Sequence, residues 1–220
     1  MATYERVKIW DVPVRLVHWA LVVLIAFSWW SGSEGGNAMT YHMWSGYAIL
    51  TLLLFRIAWG FIGSSSARFS AFVRGPHAVR RYLGTMRRRQ VSGHPGHNPA
   101  GGWSVVLMMA SIGMQAGTGL FANDDIMTEG PLYRWVSKST SDWLTSIHHF
   151  NFDALLVLIA LHLTAVLFYL FYKSENLIGA MFTGMKRVAA PVEGLRMAGA
   201  ARAVATLLAA AVAVYFLVRT

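Results

Sequence analysis

Four histidines set in apolar sequence carry whatever chemistry this chain performs: His18, His42, His148 and His162. A histidine inside a lipid-spanning helix is costly unless a partner occupies it. His148 and His162 are fourteen residues apart, and at about 100° per residue that interval closes to within roughly 40° of four full turns. Both therefore fall on one helix face, separated by about 21 Å along the axis. Two ligand positions stacked on one interior face point to two cofactors, each needing a second ligand at matching depth from another helix. His42 and His148 both sit at the start of an apolar run. His18 lies about two turns into the first run, and His162 lies past the middle of the last long one. The predicted pairs are His42–His148 and His18–His162.

A flat, apolar group that takes two imidazoles from facing helices is haem b, and the spacing predicts two of them. Their propionates need cations. Arg56 follows His42 by fourteen residues, which puts it on the same face about four turns on, at the level of the second haem. A buried arginine is costly without an anion, and a propionate supplies one. Arg15, close to His18, is a second candidate there, and Arg134 and Lys138 are candidates for the first haem. Two protein ligands on each iron leave no open position for oxygen chemistry, so such haems pass electrons.

Other polar groups have plainer readings. A single intramembrane histidine can simply hydrogen-bond a neighbouring helix, but four in two depth-matched pairs with a same-face arginine fit that reading poorly. His149 reads as a supporting or interfacial residue. His77, His94 and His97 lie in a Pro/Gly-rich connection, where H-x-x-H is a weak metal signal beside the reading of solvated loop residues. Met108, Met109 and Met114 read as packing, and Gln115 and Thr118 as polar groups between helices. Asp153 either hydrogen-bonds a ligand imidazole or reaches the interface.

The elements that must hold these residues are membrane spans. The 220-residue chain is 55% hydrophobic and only 13% charged, and its apolar residues come in runs near the roughly 20 needed to cross a bilayer. Four are evident: Val12–Ser31, His42–Ile62, Trp103–Phe121 and Ser146–Tyr172. A fifth, Ala203–Val218, reaches about 24 Å. It reads as a short C-terminal transmembrane helix or as a surface or partner-packing helix. The predicted fold is all-α, a transmembrane four-helix bundle over residues 1–175, followed by a linker and apolar helix over 176–220.

The net charge of +9 does not imply nucleic acid, because its distribution alternates along the chain. Arg68, Arg74, Arg80, Arg81, Arg87, Arg88 and Arg89 fill the connection after the second run. Lys173, Lys186, Arg187, Arg196 and Arg202 follow the fourth, against Glu175 and Glu193. The first and third connections are acidic: Glu34 in one, and Asp124, Asp125, Glu129 and Asp142 against Arg134 and Lys138 in the other. The positive-inside rule then places the N-terminus and both basic connections in the cytoplasm, beside anionic membrane lipid. Thr220 lies outside if the fifth segment spans. The chain has no cysteine, which excludes disulfides, iron–sulfur ligation and covalent c-type haem. The first run ends in FSWWSGSEGG and lacks a small-x-small cleavage site, so it reads as a span and not as a leader.

Locally, Asp11 is a plausible helix cap before Pro13, and Ala78–Arg89 a basic amphipathic surface helix. GHPGHNPAGG reads as loop, and PLYRWVSKSTSDWLTS as a short interfacial helix leading into the fourth span.

RLVHW in the first run, YHMWSGY opening the second with Arg56 near its end, and the His148/His162 pair together resemble the prokaryotic cytochrome b-561 family, over roughly residues 6–175. That family includes the cytochrome b subunit of nickel–iron hydrogenases. The resemblance implies a four-helix dihaem b cytochrome of the bacterial inner membrane that exchanges electrons with quinone. It implies His18, His42, His148 and His162 as axial ligands, and a redox partner that is a periplasmic c-type cytochrome, a hydrogenase or dehydrogenase subunit, or superoxide. Trp135, Trp143, Arg134 and His149 would surround a quinone near the outer haem, and the acidic outer connection would suit a basic partner. Two rival readings are a haem-free transporter or proton relay, which would need carboxylates along the spans, and a non-redox membrane anchor for a peripheral enzyme.

Overall fold

The computed structural model describes residues 4–87, 89, 96–189 and 194–219. Arg88, His94, Glu193 and Thr220, which the sequence reading singled out, lie outside the described residues. The element order is β1 (Tyr4–Lys8), α1 (Val12–Glu34), α2 (Met39–Ile62), α3 (Phe69–Phe72), α4 (Pro76–Gly84), α5 (Pro99–Gly119), α6 (Lys138–Phe171), α7 (Leu177–Thr183), β2 (Met185–Ala189) and α8 (Ala200–Val218).

Among the described residues, four helices are long and apolar enough to cross a membrane: α1, α2 with the short turn before it, α6 and α8. The C-terminal segment is thus one of them. The third sequence run forms a continuous helix, α5, but its 21 residues include five glycines and Gln115, and it is not among those four. Three further expectations shift. Pro99 opens α5 at the first helical position, where its missing N–H costs nothing, so the predicted loop ends before Pro99. The segment read as a separate interfacial helix splits into a 3-10 turn at Tyr133–Trp135 and the first turns of a 34-residue α6. The basic surface helix is shorter than read, ending at Gly84. The strand pair was not foreseen at all.

The chain divides into two compact units that cut across the long helices. The first comprises Met1–Leu16, Ile57–Leu107 and Leu158–Ala203. In it β1 and β2 pair antiparallel, Tyr4 opposite Ala189 and Lys8 opposite Met185. Side chains alternate across a strand, so Val7, Lys186 and Val188 share one face and Arg6, Lys8 and Arg187 the other. Asp11 caps α1 as its position suggested: its Oδ1 accepts from the Val14 N–H at 2.8 Å. Its Oδ2 accepts from the indole N–H of Trp59 at 2.8 Å, which ties the start of α1 to the end of α2. Trp59 is wholly buried, so this bond also satisfies a donor that water cannot reach.

The second unit comprises Val17–Arg56, Met108–Val157 and Val204–Thr220. Its core gathers Leu50 of α2, Leu120 just past α5, Leu132 of the following connection and Val214 of α8, with Tyr47, Leu54 and Val218 against them. Lipid offers no hydrophobic drive between helices, so contacts there depend on close van der Waals approach. The alanine-rich α8 suits that requirement, with Ala210 and Val214 buried.

Candidate functional site

His42 stands one turn into α2, and His148 stands on α6; both are partly buried in the second unit. Their ring centres are 6.1 Å apart with the planes at 76°. A metal–imidazole bond is about 2 Å long and the ring centre lies roughly 1.1 Å behind the nitrogen, so two imidazoles on opposite sides of one metal have centres about 6 Å apart. The observed spacing meets that requirement.

Both rings are oriented from behind by a third and a fourth helix. His42 Nδ1 donates to the Ser28 carbonyl of α1 at 2.8 Å, with the Ser28 hydroxyl 3.3 Å away. His148 Nδ1 donates to the Gln115 carbonyl of α5 at 2.9 Å, with the Thr118 hydroxyl at 3.3 Å. A carbonyl can only accept, so each Nδ1 carries the proton and each Nε2 keeps its lone pair. That tautomer is the one a metal-binding imidazole needs, and such a backing hydrogen bond raises its basicity.

Glycine makes this approach sterically open. A Cβ at Gly32 of α1 would lie 2.8 Å from His42 Nδ1, and one at Gly119 of α5 would lie 3.0 Å from His148 Cε1. Gln115 is itself held, because Asn151 donates to its side-chain oxygen at 2.7 Å and to the Ser111 carbonyl at 2.9 Å. Asn151 lies three residues after His148 and is buried. Gln115 and Thr118 thus back His148 directly, a role beyond the helix packing read from sequence. Ser28, Gly32, Gly119 and Asn151 were missed. The only sequence signal for them is small or amide residues near the ends of apolar runs, which is too common to single them out.

His149 also has its ring centre 6.1 Å from that of His148. Successive residues on a helix diverge by about 100°, and His149 is exposed, so it does not face His148 across a shared metal. Asp153 is exposed too. Among the described residues no three His, Cys, Asp or Glu side chains gather to hold a bare metal ion. Two lone imidazoles suit a metal that brings its own equatorial nitrogens, as haem does.

The remaining predicted residues are distributed as follows. His18 is partly buried on α1, edge-on to Trp19 at 5.1 Å. His162 is partly buried on α6. Arg56 is only 7% exposed on α2. Arg15 donates through Nη1 to the Phe182 carbonyl, and its buried Nε has no hydrogen-bond partner among the described residues. Arg134 is 89% exposed and lies 4.0 Å from Glu129. Lys138 contacts Asp125 and Asp142 at 2.5 Å each. His97 packs against Trp10 at 4.6 Å and Phe72 at 5.1 Å, and His77 is exposed beside Arg81.

The acidic connection between α5 and α6 is largely satisfied within itself. Asp124 Oδ1 accepts from the backbone N–H groups of Thr128, Met127 and Ile126 at 2.8–3.0 Å. These bonds, Thr128 first, hold its carboxyl well below the usual carboxylate range. Asp125 and Asp142 share Lys138.

No curated protein and no solved structure matches this chain. The family profile of prokaryotic cytochrome b561 matches residues 9–184 of the 220. That span contains His18, His42, His148 and His162 and every helix from α1 to α7. The chain belongs to the prokaryotic cytochrome b561 family, the multi-pass bacterial membrane cytochromes that bind haem b and transfer electrons.

Proposed function

We propose that this protein is a dihaem electron conduit linking the quinone pool to a redox partner across the cytoplasmic membrane. When bound, each haem supplies a one-electron couple. His42 and His148 hold one haem and His18 and His162 the other. The reading rests on one observation above all: two imidazoles from different helices at metal-sandwich spacing, each with Nδ1 committed to a carbonyl. The inner pair is supported by spacing along the sequence, since His162 follows His148 by fourteen residues on one continuous helix.

The chain's own groups set how the haems work. With two histidines to hold each haem, the chain would occupy the metal's remaining ligand positions and would keep small molecules from it. Arg56, buried in the span, and Arg15, with an unsatisfied buried Nε, suit propionates of the inner haem, and their positive charge favours the reduced state. Lys138 contacts Asp125 and Asp142, and Arg134 lies 4.0 Å from Glu129; both bases remain candidates for propionates of the outer haem. The α5–α6 connection keeps a net negative charge, with Asp124, Asp125, Glu129 and Asp142 against Arg134 and Lys138, which suits a basic partner. The N-terminus and the arginine-rich connection face the cytoplasm by the charge rule. A periplasmic c-type cytochrome, a hydrogenase or dehydrogenase subunit, or superoxide would exchange electrons at the outer haem.

The test is haem content and electron exchange in purified protein. Two b haems per chain, both reduced by a quinol, support the conduit. One haem per chain, or two that a quinol does not reduce, contradicts it.

A further inference from the structure

The strand pair of the first unit carries a charge arrangement that the haem reading does not use. Arg6 and Arg187 are direct partners in the β1–β2 register. Their side chains share one face, so their Cβ atoms are about 5 Å apart, and like charges placed so are destabilising. Lys8 is on the same face, two residues along. Glu5 is on the opposite face. Among the described residues neither arginine forms an ion pair.

Both arginines line a cavity of about 560 Å³ whose other walls include Ser174, Glu175, Thr183 and Lys186. Glu175, the acid of that wall, is bound by Lys186 at 2.8 Å, and both side chains are about 95% buried, at 5% and 6% exposed. The ion pair neutralises the one carboxylate that would compete with an anion. Arg6 and Arg187 are exposed at this cavity, and with its acid answered the wall keeps a net positive charge, the chemistry that grips phosphate oxygens.

The surroundings choose the source of the phosphate. β1 ends four residues before α1 begins and the cavity wall starts three residues after α6 ends, which places the cavity where membrane spans terminate. Beside it, Phe171, Ile178 and Phe182 are 78%, 38% and 60% exposed. Ile178 and Phe182 are four apart on α7 and so share one face. Exposed apolar side chains next to a cationic cavity fit an acyl chain joined to a phosphate.

We propose that this cavity is a phosphate-binding site occupied by the headgroup of an anionic phospholipid. The test uses the full-length, haem-loaded protein in detergent. Phosphatidylglycerol, phosphatidylcholine and inorganic phosphate are added separately, and bound lipid is read by native mass spectrometry and stability by melting temperature. Wild type is expected to retain phosphatidylglycerol over phosphatidylcholine and to melt higher with it. Arg6→Gln with Arg187→Gln should cut that retention about tenfold. Arg80→Gln with Arg81→Gln removes the same charge from exposed sites on α4, where lipid contact is diffuse, and should cut that retention far less than the cavity variant does.

Arg187→Glu is a second variant that does not depend on tolerance of two neutral substitutions. It relieves the cross-strand repulsion, so it should melt higher than wild type without lipid and gain nothing from phosphatidylglycerol. Equal retention by wild type and the Arg6/Arg187 variant overturns the site, as does equal loss in the Arg80/Arg81 variant. Stabilisation of wild type by inorganic phosphate that phosphatidylglycerol does not match overturns lipid as the occupant.

Discussion

His42 and His148 face each other with ring centres 6.1 Å apart, and each turns its Nδ1 away to a backbone carbonyl on a helix other than its own. The pair is therefore built from four helices: α2 and α6 carry the rings, and α1 and α5 fix their tautomer and rotation. Loss of any one of the four contributions should be felt at one haem.

The glycines test this most finely. In Gly119→Ala the new methyl would lie 3.0 Å from His148 Cε1, and in Gly32→Ala 2.8 Å from His42 Nδ1. Backbone on one side and a ligand ring on the other leave little room to relax. Each variant should lose or shift the same single haem, seen as a fall toward one haem per chain or a displaced midpoint in a potentiometric titration, while the second haem keeps its wild-type potential.

Asn151 links two helices behind the site. Asn151→Ala removes the partner of the Gln115 side chain and the Ser111 hydroxyl, and should destabilise by about 2 kcal/mol. The outer haem should loosen along with it. Thermal melting monitored at the haem band and in the far-ultraviolet would show the haem transition moving by more than the helix transition.

The buried ion pair of the first unit should behave asymmetrically. Lys186→Met removes the 2.8 Å ion-pair partner of a buried Glu175 carboxylate, at a cost of about 3–5 kcal/mol. Combining it with Glu175→Leu should restore most of the loss, since two apolar groups need no counter-charge. Melting temperatures of the two single variants and the double variant provide the check.

The Asp124 turn gives a pH dependence with a fixed sign. Its carboxyl is held below its ordinary value by loop N–H groups, so the stabilisation is present above the unfolded carboxylate range, near pH 4, and fades as pH falls toward the lower folded value. Hydrogen-exchange protection factors at Ile126, Met127 and Thr128 should hold at pH 5 and fall well below pH 4. Asp124→Asn should weaken the protection at every pH.

Much of this arrangement was legible in the sequence. The fourteen-residue interval between His148 and His162, and the run lengths around His18 and His42, follow from helical period and bilayer thickness alone, and Asp11 announced the start of α1. What stayed hidden depends on contacts distant along the chain. The β1–β2 pairing joins residues some 180 positions apart and has no turn signal between its strands. Gly32 and Gly119 matter only because a ring from another helix lies against them. The contacts of Arg134 and Lys138 with Glu129, Asp125 and Asp142 likewise depend on how the connection folds back on itself.

The most direct test of the central claim is the haem complement of the four single His→Ala variants at positions 18, 42, 148 and 162, quantified and resolved by reduced-minus-oxidised spectra and redox titration. The account predicts two classes: His42→Ala and His148→Ala lose one haem and keep the other, while His18→Ala and His162→Ala lose the one that the first class retains. If His42→Ala and His148→Ala remove different haems, or either keeps both, the pairing described here is wrong.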